Sequence, residues 1–395
     1  MIVRNGATIP LIMKGTTPIR LVKKGLETVL EAMIPMTLSV AGQPPYTLEN
    51  SAGNNLIDFK IYGRSLQDGT PTPETPIEVE SVGEYDETAG KYKIPVKISG
   101  KNYFNGQWEK GFINNSTGMN SSSSSSIRTA NYIELKPNTK YYVTVPSGNN
   151  YPFTYKKDKS FSRYLTLKGK SFSFTTTADE YYFRLARYAD TNIPANVQIE
   201  VGSVATEYEP YIEPTTTNIY LNEPLRKIGD YADYIDYKNK KVVRKIYQGK
   251  LIDVLSGSSG SQYANGLCRK QNVLRPKANY NIAPMSNSLK GNSGTLIVEA
   301  NTISVLSAYS NAYVYFNISD VCLEPVTTTT SNQEIGTAIN NYIIERNIDL
   351  TYVLETPTEE TIELPTIATI KGTNIVDIET DIKPDNVEIT YWGQI

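Results

Sequence analysis

The sequence predicts an all-β protein built from several antiparallel β-sandwich domains, with one short helix near residues 332–346. Three observations predict it. Apolar and polar residues alternate by two in many short runs, such as Tyr92–Ile98 and Val197–Val201, which is the pattern of a half-buried strand. Tyr is abundant, at 29 against 9 Phe and 2 Trp, and Tyr, Thr, Val and Ile suit a pleated surface. Gly, Pro and Asn punctuate the runs at turn-like spacing. The chain has 395 residues, too long for one ordinary core and enough for roughly two to four domains.

Residues 1–50 open with a weak repeat. VRNGATIPL, IMKGTTPIRL and LVKKGLETVL each run apolar, basic, glycine, apolar, with Gly6, Gly15 and Gly25 as pivots. Asn5-Gly6 is a hairpin signal, so residues 1–33 are expected to form a β-meander. The rival is a helix from Leu21 to Met33, against which Gly25 argues. Such a unit buries little alone and is expected to pack on a partner chain or a neighbouring domain. Strands follow at Ile57–Tyr62, Ile77–Val82 and Tyr92–Ile98. Between the first two, Pro71, Pro73 and Pro76 favour an extended, solvated loop.

Within 101–212, strands are expected at Asn131–Leu135, Lys140–Val145, Ser171–Thr175, Tyr181–Arg187 and Val197–Val201. Their spacing suggests an antiparallel sandwich. The run NNSTGMNSSSSSSIR reads as a flexible loop. Later, DYIDYKNKKVVRKIYQGKLIDVL reads as a hairpin turning at Lys238-Asn239. SNQEIGTAINNYIIERN is the one convincing helix. Ser331 and Glu334 make its capping box, and Ile335, Ala338, Ile339, Tyr342 and Ile343 share a face. The strand LTYVLETP is expected to close at Pro357. Residues 357–395 hold three short strand-like runs, with turns at Lys371-Gly372 and Lys383-Pro384.

YKIPVKI and TNIYL are good strands flanking residues 101–212. An inserted domain has its ends close together. The expectation is therefore an insert at 101–212 within a host of 51–100 plus 213–356, with Tyr92–Ile98 near Thr217–Leu221. Gly202 and Pro210 would mark the exit, and Tyr208 and Tyr211 would pack the seam.

Composition narrows the chemistry. With 39 basic and 41 acidic residues, there is no electrostatic case for nucleic acid or an anionic membrane. The sequence has no His, which removes Ser–His and Cys–His nucleophiles and His zinc sites. Cys268 and Cys322 both sit in apolar, strand-like settings. Buried thiols are the preferred reading, and a disulfide between them stays open. No run of about 20 apolar residues suggests a membrane span, and the N-terminus does not read as a secretory signal. No phosphate-loop or dinucleotide motif is present.

KIYGRSLQDGTPTPETPIEVESVGE, GKNYFN, NVQIEVGSVATEYEPY, IDLTYVLETPTEETIELP and IKGTNIVDIETDIKPDNVEITYW resemble segments of tail and baseplate proteins from phages and prophages of Gram-positive bacteria. The resemblance covers roughly residues 50–395, and its most specific part is the frame GKN-aromatic-F…VQIE-G…YEPY. It implies a virion structural protein of the tail tip, baseplate or fibre, assembled in the host cytoplasm. Residues 101–212 would be a carbohydrate-binding-like jelly roll facing outward, and residues 1–50 would anchor the chain to the particle or a partner. The implied partners are other tail proteins and a host cell-wall glycan. A homo-oligomer is expected, a trimer before a ring. No catalytic residues, cofactor or metal carry over. A pure assembly scaffold is the alternative. A carbohydrate-active enzyme and a bacterial surface adhesin are weaker rivals.

Sugar recognition needs flat aromatic faces and a few polar groups. Trp108, Tyr155, Tyr164, Tyr182, Arg184 and Tyr188 are the candidate glycan contacts, against the alternative that they fill or coat a sandwich. In YYFRLARY, the face carrying Tyr182 and Arg184 is the more polar. Asp230, Asp233 and Asp236 recur every third residue but lack the features of a calcium loop, so a solvated turn is expected. Glu207 with Glu209, and Glu359 with Glu360, read as solvated charge rather than a glycosidase pair, because strand neighbours point to opposite faces. NNST and NSS match the glycosylation pattern, but a chain without a secretion signal would not meet that machinery.

Overall fold

The computed structural model describes residues 45–50, 58–66, 79–188, 193–255, 257–263, 267–271 and 330–393. It also describes the segments 2–4, 7–9, 13–14, 17–18, 21–24, 27–31, 34–41, 290–292, 295–298, 313–317 and residue 321. The fold is all-β, in several mostly antiparallel sheets, with the helix Asn332–Glu345 as expected. Ser331 and Glu334 form the capping box, and Ile335, Ile339 and Ile343 are buried. One strand pair, Thr295–Val298 with Tyr313–Asn317, is parallel.

Each unit of the N-terminal repeat is a two-stranded hairpin. Ile2–Arg4 pairs Ala7–Ile9, Met13–Lys14 pairs Thr17–Pro18, and Leu21–Lys24 pairs Glu27–Glu31. The last pair replaces the rival helix.

The host is a sandwich of two sheets. One runs through Glu84–Asp86, Lys91–Ser99, Gly372–Ile378 and Tyr46–Asn50, with Thr215–Leu221 also paired to Lys91–Ser99. The other contains Asp349–Thr361, Lys241–Lys250, Tyr234–Asp236, Asp58–Tyr62, Asn386–Gly393 and Ile34–Ala41. Leu48, Ile61, Ile94, Val96, Ile219, Ile235 and Ile389 fill the space between them. Tyr92–Ile98 does lie beside Thr217–Leu221: the strands pair antiparallel from Tyr92 opposite Leu221 to Ile98 opposite Thr215. Strands from residues 34–50 and from 357–395 belong to these host sheets rather than to separate units. Alternation locates strands, but partners this distant in sequence leave no local trace.

The segment between Lys241–Lys250 and Asp349–Thr361 builds a further core. Leu251, Val254, Cys268, Phe316 and Tyr352 pack there against Ile335, Ile339 and Ile343 of the helix. Cys268 is thus buried. Cys322 and the loop carrying Pro71, Pro73 and Pro76 lie outside the described residues. Asp349–Thr361 runs past Pro357 instead of closing there. It is an edge strand, and its pairing with Lys241–Lys250 slips between Arg244 and Ile246, opposite residues 354–357. A proline lacking its N–H fits such a bulge at an edge.

Residues 101–212 form two facing sheets. The larger contains Trp108–Lys110, Ser126–Thr129, Tyr182–Tyr188, Asn150–Tyr155 and Phe161–Tyr164, with Ile133–Glu134 also paired to Tyr182–Tyr188. The smaller contains Phe172–Thr175, Lys140–Thr144 and Gln198–Val201. Phe104, Tyr141, Val143, Phe183, Leu185 and Ile199 fill the interior. The Ser run is anchored at both ends. Asn120–Ser121 pairs Phe112–Ile113, and Ser126 begins a strand and is buried.

Candidate functional site

The strand Tyr182–Tyr188 sorts its side chains by alternation. Phe183 and Leu185 enter the interior. Tyr182, Arg184, Ala186 and Tyr188 point to the outer face. Cross-strand register adds Tyr151, Phe153 and Tyr155 from one neighbour and Tyr164 from the next. Arg187 sits opposite Asn150 and Ile127 on the inner side, and burial pulls its guanidinium below its usual pKa.

The small hairpin of Phe112–Ile113 and Asn120–Ser121 roofs part of this outer face. Ile113 packs with Phe153, Tyr155 and Ala186. The Tyr155 hydroxyl donates to the Gly118 carbonyl at 2.8 Å. Arg184 donates to Asn120 Oδ1 at 2.7 Å and to the Thr129 carbonyl at 2.6 Å. Arg184 is 2% exposed and Tyr155 1%, so neither candidate is available to a ligand. Trp108 is separated from the others. It lies edge-on to Phe104, 5.1 Å between centroids, and packs on the interior cluster.

What stays open at one end of the face is a patch of four rings. Tyr188, 50% exposed, stacks on Phe112 at 5.7 Å and meets Tyr151 edge-on at 5.8 Å. Tyr151 stacks on Tyr164 at 6.2 Å. Tyr164 and Tyr188 were expected contacts, whereas Phe112 and Tyr151 were missed. NYPFTY does alternate its aromatics, but Pro152 disguises the strand. Beyond the roof, Tyr182 and Tyr132 meet edge-on, with Lys159 Nζ 5.6 Å from each ring.

The seam comes from the most distinctive part of the sequence. Gly202 ends its strand at φ 146°, a backbone state that L side chains rarely adopt. Asn102 joins the two ends of the insert. Its Oδ1 accepts from Phe104 and Ile199 N–H, and its Nδ2 donates to the Val197 and Glu209 carbonyls. Gln198 Oε1 accepts from Glu209 N–H, and Glu200 accepts from Thr206. Glu209 then reaches the host. It accepts from Thr373 N–H at 3.0 Å and its hydroxyl at 2.8 Å, and pairs with Lys101 at 2.9 Å. Gly372, at φ 97°, allows this, because a Cβ there would meet the Glu209 carboxylate at 2.8 Å. Burial raises the Glu209 carboxyl, but the bonds from Lys101 and Thr373 outweigh it and leave its pKa lowered. Glu209 is therefore a pin rather than solvated charge. Tyr208 does not pack the seam, being 43% exposed, whereas Tyr211 donates to Glu213 at 3.0 Å beside it.

Asp230 sits in an exposed turn, as expected, whereas Asp233 and Asp236 are buried. Asp233 is fully buried and receives N–H bonds from Lys245 and Ile246, with Arg244 Nη1 at 3.3 Å. Asp236 accepts from Asn239 in the hairpin turn. The contacts of Asp233 and Asp236 are all donors, so neither buried carboxylate has a place for a cation. Among the described residues, no group of His, Cys, Asp and Glu is arranged to hold a metal ion. Glu359 pairs with Lys241 at 2.7 Å on the strand ladder. Glu180, fully buried on the insert, accepts from Arg163, Thr154 and Ser162. No protein-family model, curated protein or solved structure matches the chain.

Proposed function

We propose that this chain is a non-catalytic structural component of a phage tail tip, baseplate or fibre, and that its jelly roll attaches the particle to a host-surface glycan. The observation that carries the glycan step is the patch of Phe112, Tyr151, Tyr164 and Tyr188. Rings held by their neighbours offer apolar faces to pyranose C–H groups with little entropy left to lose. One such patch binds weakly. Several copies on one particle raise the effective concentration and make attachment firm. The partners are then neighbouring tail proteins and a wall glycan, the copies form a homo-oligomer, favoured as a trimer, and the site of action is the virion.

The test is co-sedimentation of the purified chain with cell-wall polysaccharide. Tyr188→Ala and Tyr151→Ala should each weaken binding about tenfold while thermal melting stays close to wild type. Unchanged binding would remove the patch from the mechanism.

A pure scaffold role is favoured by one observation. The three N-terminal hairpins pair only within themselves among the described residues. Isolated two-stranded hairpins are marginal in water and gain from a partner surface. Cryo-electron microscopy of the assembled particle separates the two roles. A jelly roll facing outward supports attachment, and one buried between neighbours supports the scaffold.

A further inference from the structure

The six-stranded host sheet ends on two strands of opposite character. Asp349–Thr361 closes one side and Ile34–Ala41 the other. A free edge offers unpaired N–H and C=O groups to any extended chain, and charge, proline or a bulge keeps such a chain off. Asp349–Thr361 has all three: Glu355, Glu359 and Glu360, Pro357, and the slip opposite residues 354–357. Ile34–Ala41 is unguarded. It carries no charged residue, and its one proline, Pro35, stands second in the strand. All eight of its residues pair with Asn386–Gly393 without a slip. Among the described residues, nothing pairs with its other side. Leu38, near its middle, packs on the core between the host sheets, so the strand is built into the fold.

The order of residues selects an occupant. From Leu38 in either direction, IPMTLSVA gives a hydroxyl residue, then an apolar one, then a small one: Thr37 or Ser39, Met36 or Val40, Pro35 or Ala41. An antiparallel copy centred on Leu38 sets Thr37 opposite the partner's Ser39 and Met36 opposite the partner's Val40. Chemistry matches at each level, and no charge enters. A two-fold axis normal to the sheet produces this register and keeps both sandwich cores on the same side of the joined sheet. We infer that Ile34–Ala41 pairs antiparallel with the same strand of a second copy, joining two host sheets into one. A foreign strand could use the same hydrogen bonds, but the match of this strand to itself selects the copy. The inference goes beyond the reading above, which gives a homo-oligomer without naming a contact, and it needs neither glycan nor particle. A two-fold contact makes assemblies even in number: two copies by this edge alone, or six where a threefold contact acts as well.

The experiment is native mass spectrometry of the full chain. Wild type should show two or six copies, and one or three would overturn the inference. Thr37→Lys with Ser39→Lys sets like charges opposite each other across the axis, and Thr37→Glu with Ser39→Glu does the same. Each double variant alone should halve the copy number. Ser39 is exposed, so melting should stay close to wild type. Mixing the two variants should restore the wild-type number, with one of each in every pair. No loss in the variants, or loss without restoration on mixing, would overturn the self-pairing. Should a variant fail to melt cooperatively, amide exchange of the wild type replaces it. Raising the concentration about a hundredfold should slow exchange severalfold at the outward N–H groups of residues 34–41. Exchange there that ignores concentration would overturn the contact.

Discussion

Asp233 shows how far a residue's role can lie from its sequence neighbourhood. GDYADYIDY reads as a solvated turn, because nothing within it hints at Arg244 on the following strand. In the fold, Asp233 is enclosed and organises the corner where residues 224–226 meet that strand. Arg244 also donates to the Glu223 and Pro224 carbonyls there. Burial pushes the Asp233 carboxyl up, while Arg244 and the N–H groups of Ile246, Lys245 and Arg226 pull it back. Asp233→Ala would leave a guanidinium that is only 9% exposed with no carboxylate nearer than Glu360 at 3.9 Å, together with orphaned backbone donors. The expected cost is about 3–5 kcal/mol in chemical denaturation. A loss below about 1 kcal/mol would show the corner held by packing alone. The glycan candidates divide in the same way: Arg184 and Tyr155 have the right chemistry, but the roof that buries them is invisible in the strand that carries them.

At the scale of elements, periodicity and capping were legible, and partners were not. The helix is the clearest case. Ser331 accepts from Glu334 N–H at 3.2 Å, Glu334 Oε2 accepts from Ser331 N–H at 2.7 Å, and the apolar stripe meets the core as its spacing requires. Bonds from Ser331 hold the Glu334 carboxyl below its usual pKa. Ser331→Ala should cost about 1 kcal/mol and raise amide exchange first in the opening turn. Uniform exchange along the helix would place its stability in packing instead. Strands with strict alternation, such as Lys91–Ser99, were equally plain. Asn150–Tyr155 was hidden by Pro152, and the roof hairpin by its Ser and Asn content. Those polar residues suit a covering segment, whose outer side faces water while Ile113 and Asn120 point down.

Across the whole molecule, the distinctive frame of the sequence turns out to be joinery. Asn102, Gln198, Glu200, Gly202 and Glu209 bond one another, or end the strand where the chain leaves the insert, and Glu209 fastens that segment to Thr373 of the host. The flanking strands announced the insertion because both are locally regular. The pin escaped notice because Thr373 lies 164 residues from Glu209. The pin also has a pH signature. The folded-state pKa of Glu209 lies below its ordinary 4.5, so its stabilisation is complete above that value and disappears as pH falls through the folded pKa. Glu209→Gln removes the charge at every pH. Above pH 4.5 the variant should melt at lower temperature, by an amount equivalent to about 2 kcal/mol. The gap from wild type should close in acid, where both side chains are neutral. Acid weakens other carboxylate contacts, such as Glu180, equally in both proteins, so the gap isolates the pin. A gap that persists unchanged into acid would assign Glu209 a packing role, and the seam would then rest on Asn102 and the paired strands Lys91–Ser99 and Thr215–Leu221.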